Sequence, residues 1–471
     1  MACTLVWFRR DLRLTDHPAL EHALRRSLPV IPVYCWSPED EAPWQPGAAS
    51  RWWLHHALEA LGARLETLGS RLIVRQGSAV EVIPALARET GATSVCWHER
   101  FEPAGRSVDD RVAAALRHAG VEASVHNGVL LHNPDAVRTG SDMPYRVFTP
   151  FWKNLQQNLE VERPLPEAVF TPAHRPDAWP ASASIASLGL LPTIPWDRGF
   201  YTAWQPGEAG AREALDRFVE GPIAAYDSDR NRPDRIGTSR LSPHLCFGEI
   251  SPRTVWHAAS ARRAAMADGK PAHVFLSEVA WREFSYHLLY HFPHTPESPL
   301  NTRFEAFPWR EDPEALRRWQ RGETGYPIVD AGMRELWTTG WMHNRVRMIV
   351  ASFLTKDLLI PWQAGARWFW DTLVDADLAN NTMGWQWSAG CGADAQPFFR
   401  IFNPMSQGRR FDPDGAYVRR WAPELAKLPA SDIHAPWEAA PLFRHGTGYP
   451  DPMVDHAAAR DVALAAFERI K

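Results

Sequence analysis

The spacing of apolar residues changes once along this chain, and the change restricts the folds open to it. Through residue 131, short apolar runs at 4–7, 29–36, 71–74, 94–97 and 123–131 alternate with stretches of helical period at 51–68 and 80–89. Short apolar runs separated by helices predict βαβ units and a parallel sheet covered on both faces. The expectation is an α/β domain with a Rossmann-like parallel five-stranded sheet over residues 1–131. Such a sheet takes nucleotide-like ligands at the carboxyl ends of its strands, but no G-x-G-x-x-G is present and the sheet alone names no ligand. From 206 to 471 the period is helical, which predicts an all-α domain. Between them, residues 132–205 carry ten prolines. Proline fixes φ and removes a donor, so this segment is expected to be an extended interdomain connector.

A chain of 471 residues exceeds the size at which single cores stop growing, in agreement with two domains. A net charge of -4 excludes a globally basic nucleic-acid binder but leaves room for a local arginine groove. The five cysteines (Cys3, Cys35, Cys96, Cys246, Cys391) are scattered and form no C-x-x-C, so neither a disulfide framework nor a metal site is expected. The opening MACTLVWFRRDLRL meets charge after a few apolar residues, and no apolar run reaches membrane-spanning length. A cytoplasmic protein with no membrane contact is expected, working as a monomer. The 23 Trp against 9 Tyr ask for more than packing.

Three helical-domain stretches mix chemistry densely. In 375–387, DADLANNTMGWQW, acids and amides that favour turns sit beside two indoles. The mixture reads as a poor core helix and a good site for a flat aromatic ligand. In 278–283, EVAWRE, the spacing puts Glu278, Trp281 and Arg282 on one helix face; in 341–348, WMHNRVRM, Asn344, Arg347 and Met348 share another. Arg347 could pair bidentately with Asp375. Residues 237–243, GTSRLSP, could cradle a pyrophosphate through backbone N–H groups and hydroxyls, or be a plain helix start.

GTSRLSPHL, EVAWREF, GYPIVDAGMREL, GWMHNRVRM, DLANNTMGWQW and FFRIFNPMSQG occur in that order, after an opening VWFRRDLRLTDHPAL. Together they resemble the photolyase/cryptochrome flavoprotein family over essentially the whole chain. The resemblance implies an antenna-chromophore domain over 1–131 and a helical FAD-binding catalytic domain over 206–471. It further implies that Tyr226 and the loop Thr238, Ser239, Arg240, Leu241 and Ser242 hold the FAD phosphates. Arg282 and Asn344 would support the cofactor, Arg347 would pair with Asp375 beside the flavin ring, and Asp377 would lie at its edge. Asn381 matches the position facing flavin N5, where an amide can hydrogen-bond the ring without acting as an acid, which favours repair over signalling.

For substrate, the resemblance assigns Trp281 and Trp387 to the faces that receive a flipped cyclobutane pyrimidine dimer of UV-damaged DNA, an extrusion known for photolyases. Glu278 would hydrogen-bond its bases and Met348 pack on them. A histidine at the place of Met348 would point to the (6-4) photoproduct instead. Arg230, Arg345, Asn344 and Gln407 match DNA contacts, with Arg409 and Arg410 close by in sequence. Trp385, Trp362 and Trp309 match a relay of indoles that carries an electron from the surface to the flavin. The resemblance thus implies a light-dependent cyclobutane-dimer photolyase, with a cryptochrome photoreceptor as the alternative. The antenna is expected to be methenyltetrahydrofolate, with 8-hydroxydeazaflavin as alternative. An Asn-Glu pair found in folate-binding relatives is replaced by Ala104 and Gly105, the basic residue that deazaflavin binders carry near Cys246 is absent, and Arg51 resembles a deazaflavin contact.

Overall fold

A computed structural model describes residues 2–395, 399–439 and 448–471. Five strands, β1 (Cys3–Phe8), β2 (Val30–Trp36), β3 (Ile73–Gln76), β4 (Ala92–His98) and β5 (Glu122–His126), form one sheet in the order β3-β2-β1-β4-β5. Every neighbouring pair is parallel. The central strands β1 and β2 are buried at every position, as both-face coverage demands. Two covering helices, Ala48–Thr67 and Ala79–Thr90, fall where the period placed them. Two more, Pro18–Leu24 and Pro103–His118, complete the layers.

The proline-rich segment is not wholly extended. Phe148–Asn158 is a helix whose Phe148, Phe151 and Leu155 recur at three and four residues and are buried, a period that the surrounding prolines hide. The described residues from 206 on form helices and the turns that join them. The elements that frame the site are Tyr226–Asp229, Ser242–Cys246, Lys270–His291, Asn344–Ser352, Trp362–Thr372, Leu378–Ala389 and Pro404–Phe411. Residues 378–389 overturn the reading of that stretch as a poor core helix. Asp377 lies outside the helix as its N-cap and accepts from the Asn380 amide at 2.8 Å, so the turn-former starts the helix instead of breaking it. Phe398, which opens FFRIFNPMSQG, lies outside the described residues.

Buried polar groups join the two parts. Asp16 is 0% exposed and takes Arg253 Nη2 at 2.7 Å, Arg253 Nε at 3.1 Å, the Leu165 amide at 3.0 Å and the Ser251 hydroxyl. Its backbone carbonyl accepts from Arg13, which also reaches the Gly248 and Gly128 carbonyls. Among the described residues, no helix is long and apolar enough to cross a membrane.

Candidate active site

The cofactor side is built on the turn before helix Leu378–Ala389. Arg347 Nη2 donates to Asp375 Oδ2 at 2.8 Å and its Nε to the Met342 carbonyl at 2.7 Å. The pair read from the sequence therefore exists, but with one hydrogen bond in place of the bidentate fork, because Met342 claims the second donor. Asp375 Oδ1 is buried with no partner among the described residues. Asn381 donates from Nδ2 to the Ala366 carbonyl at 3.0 Å, which leaves its own carbonyl oxygen to a ligand. Asp377 accepts from the Tyr286 hydroxyl, a partner the sequence did not reveal, and Arg282 lies 4.9 Å over the Tyr286 ring. Arg282 also donates to the Val129 carbonyl at 3.0 Å. Arg10, at the carboxyl end of β1, holds the same turn by donating to the Ala376 carbonyl at 3.3 Å. Only proximity in the fold marks Tyr286 and Arg10; no spacing in the chain does.

The 238–242 loop is a helix start. Leu241 caps the short helix Ser242–Cys246, and Ser239 accepts from the Leu241 amide at 3.3 Å. Arg240 has φ +54°, a left-handed backbone, and its guanidinium lies 4.2 Å from the Trp204 ring and 4.6 Å from the Trp341 ring, which meet edge to face. Thr238 is half-buried, and Ser242 accepts from the Trp341 indole at 3.3 Å. Tyr226 is buried, edge-on to Phe275. Asn344, by contrast, is exposed at the start of its helix. The unpartnered Asp375 oxygen, the Asn381 amide and the Arg347 guanidinium form a donor-acceptor set suited to the polar edge of a flavin ring.

The substrate side begins 2.6 Å from Arg230, whose Nη1 meets Glu278 Oε1. Helix Lys270–His291 thus directs Glu278 to Arg230, while Arg282, one turn on, pairs with Glu283 at 3.2 Å. Burial raises the Glu278 carboxyl above its ordinary range, against the downward pull of Arg230 and Arg345. Trp281 is half-buried because Phe148 of the proline-rich segment stacks on one face, 3.7 Å away at 11°. That segment therefore supplies the backing of the indole, a role its composition did not signal. Trp387 and Met348 are half-buried, on helices that both pack against one another, and helix Lys270–His291 packs on the Trp387 helix.

Around the rim, Arg345 reaches Asn231 at 2.6 Å and lies 4.5 Å over Phe411, with Arg410 5.1 Å from the same ring. Burial, then Arg230, Arg410 and Arg400, lowers the Arg345 pKa, the mark of an electropositive cluster. Gln407 is half-buried on helix Pro404–Phe411, and Arg409 turns away to Glu438 at 3.2 Å. Trp385 and Trp362 are buried in one apolar cluster against which Trp309 packs. The ring contacts of Trp385 are with Phe369 at 5.0 Å and Trp319 at 6.1 Å, and Trp319 had no mark in the sequence. A Cβ on Gly365 would lie 2.0 Å from the Trp385 ring, so glycine is what lets that indole sit there.

Residues 4–172 match the family model described as DNA photolyase, and 275–469 that described as the FAD binding domain of DNA photolyase. The chain is 48% identical to a deoxyribodipyrimidine photo-lyase of Agrobacterium fabrum, over 100% of this chain and 98% of the relative. It is 38% identical to Cryptochrome-1 of Arabidopsis thaliana, over 97% of this chain and 69% of that protein. Among solved structures, a bacterial class III photolyase from Agrobacterium tumefaciens superimposes with a TM-score of 0.95 at 48% identity, over 100% of this chain and 98% of that one.

Proposed function

We propose, since this chain belongs to the DNA photolyase family, that it is a light-dependent lyase repairing cyclobutane pyrimidine dimers in UV-damaged DNA. The observation that carries the reading is the half-buried Glu278, paired with Arg230 beside the half-open Trp281. A carboxylate there can accept from the base N–H groups of an extruded dimer while the indole stacks on it.

FAD, when bound, supplies the excited-state electron that lets the two bonds joining the pyrimidines break and that returns afterwards. The residues that would hold it are Tyr226, Thr238, Ser239, Arg240, Leu241, Ser242, Arg282, Asn344, Arg347, Asp375, Asp377 and Asn381. Trp281 and Trp387 would take the extruded dimer between them, each base stack contributing about 1–3 kcal/mol. Met348 would close the pocket against water. Arg230, Asn344, Arg345 and Gln407 would grip the phosphates without reading sequence. Trp385, Trp362 and Trp309 would relay electrons to the cofactor. The domain limits 1–131, 132–205 and 206–471 belong to the same reading, as do a monomer and a cytoplasmic location.

For the antenna we favour methenyltetrahydrofolate over 8-hydroxydeazaflavin. A cavity of about 180 Å³ between the two parts is lined by Arg10, Glu41, Trp44, Ala104, Glu102 and Trp370. Burial opposes the charge of Glu102, but Arg100 and Arg10 outweigh it and hold this carboxyl at about 2. Ionised acceptors between indole faces suit the donor edge of a pterin. Arg51, the deazaflavin-like feature, is exposed and lines no part of that cavity.

The test is repair of a thymine-dimer oligonucleotide by the reduced protein under near-UV/blue light, with a dark control and a (6-4) substrate in parallel. Restoration of the dimer alone, in light alone, is expected. Failure by protein that holds photoreducible FAD would move the reading to a photoreceptor.

A further inference from the structure

Outside the candidate site, the sheet brings together a second group of ligating side chains. In the β4–β5 register Cys96 lies opposite Ser124 and His98 opposite His126, so Cys96 and His126 project from the same face of neighbouring strands. Helix Pro18–Leu24 packs on these strands and contributes His22. One ligand atom from each of His22, Cys96 and His126 lies within 4.8 Å of the other two. The imidazole rings are 4.9 Å apart at 50°. His22 Nε2 is buried with no partner among the described residues, although an imidazole nitrogen out of water ordinarily finds one. Cys96 is fully buried, its thiol 3.8 Å from the Ser94 hydroxyl and also beside that of Ser124. His126 Nε2 meets Ser124 Oγ at 2.9 Å, an outer partner of the kind that orients a ligating imidazole.

We propose that His22, Cys96 and His126 form a binding site for a borderline-soft divalent metal ion, best filled by zinc, with water as fourth ligand. Two imidazoles and a thiolate are a zinc donor set, and the absence of a carboxylate disfavours magnesium or calcium. Bond lengths of about 2.0 Å to nitrogen and 2.3 Å to sulfur need closer ligands than 4.8 Å. His22 and His126 are half-buried, so closing on the ion would fall to these two rings. A bound ion would tie the edge strand β5 and helix Pro18–Leu24 to β4.

Two other clusters lack these features. Asp11, His17 and His98 are buried together, with His17 Nε2 and His98 Nδ1 3.1 and 2.9 Å from Asp11 Oδ2. There the Leu20 and Ala19 amides donate to the opposite ring nitrogens, at 3.0 and 3.3 Å. Those donors fix both protons on the side facing Asp11, and no lone pair is left for a metal. His55, His56 and Glu59 are an ordinary helix-surface group around a Glu59 that is 54% exposed.

The holoprotein, kept reduced, would be titrated with zinc chloride by calorimetry in two buffers of different ionisation enthalpy, and unfolded thermally with and without zinc. One equivalent should bind and release close to one proton at pH 7, because the thiol ligates zinc as a thiolate. Cys96→Ser and His22→Ala should each weaken binding at least tenfold and abolish the zinc-dependent rise in unfolding temperature; His56→Ala should do neither. Should Cys96→Ser fail to fold, the half-buried His22→Ala and His126→Ala decide. Absence of zinc binding, or binding unchanged in those variants, overturns the proposal. Repair of dimer oligonucleotide should be the same with and without zinc, so a failure of the repair reading leaves this result standing.

Discussion

Asp16 and Asp375 are both buried aspartates held by an arginine, yet their surroundings differ in one respect. Both oxygens of Asp16 are committed, to Arg253, Ser251 and the Leu165 amide. Asp375 commits one oxygen to Arg347 and leaves the other without a partner among the described residues. A buried acceptor left short costs roughly 1–3 kcal/mol. Asp16 is saturated where it joins the two parts of the molecule, and Asp375 keeps an acceptor to spare in the candidate site. Glu278 falls with Asp375: one rim arginine balances a carboxylate that burial raises.

The sharpest break of this comparison is Asp16→Asn. It leaves the Arg253 guanidinium, in a buried hub, with the 82%-exposed Glu162 as its remaining carboxylate among the described residues, and urea unfolding should report a loss of about 3–5 kcal/mol. An effect on stability under 1 kcal/mol would remove the distinction between hub and site. Glu278→Gln should do the reverse. Its urea midpoint should stay close to the parent's, while light-driven repair falls about 10- to 100-fold, the worth of roughly 1.5–3 kcal/mol for a hydrogen bond to a charged group. Unchanged repair would take Glu278 out of the site. Trp387→Ala should weaken binding of a dimer oligonucleotide by about 1–3 kcal/mol with little change for undamaged DNA, as a gel-shift competition would show.

Acid should act on the whole molecule. Burial, followed by His291 and His132 around His287 and by Arg345 and Arg347 around His343, lowers both imidazoles to about 3. Between an unfolded value near 6.5 and those folded values the unfolded chain binds more protons, so stability falls as pH falls through that window. The slope is on the order of 1 kcal/mol per pH unit for each histidine, and unfolding at pH 7 and pH 5 would measure it. A flat profile would mean that both histidines are solvated. The smallest effect belongs to Arg345→Ala, which should lower the salt slope of DNA binding by about 1 and weaken damaged and undamaged duplexes alike.

Helix Leu378–Ala389 shows where the sequence misleads. Its acids and amides argue locally for a turn, and Asp377 alone takes that role, as a cap, while Asn381 finds the Ala366 carbonyl from another helix. Phe148 behind Trp281 is a similar case, since only folding delivers a segment more than a hundred residues away to that indole. The same holds for Tyr286 on Asp377, for Arg10 under Ala376, and for the His22, Cys96 and His126 cluster, whose cysteine belongs to no C-x-x-C.

Period and local chemistry lie within a few neighbouring residues, so the sequence by itself determined the parallel five-stranded sheet, the helical second half and the chemical types gathered at 278–282, 341–348 and 375–387. Partnership between distant segments is a matter of which faces meet. The tertiary structure alone decided that Glu278 answers to Arg230 and not to Arg282, that Met342 leaves Arg347 one bond for Asp375, and which buried acceptors go unfilled. The physical reason is that each side chain has few donors and acceptors, and their allocation depends on every neighbour that packing brings within about 3 Å.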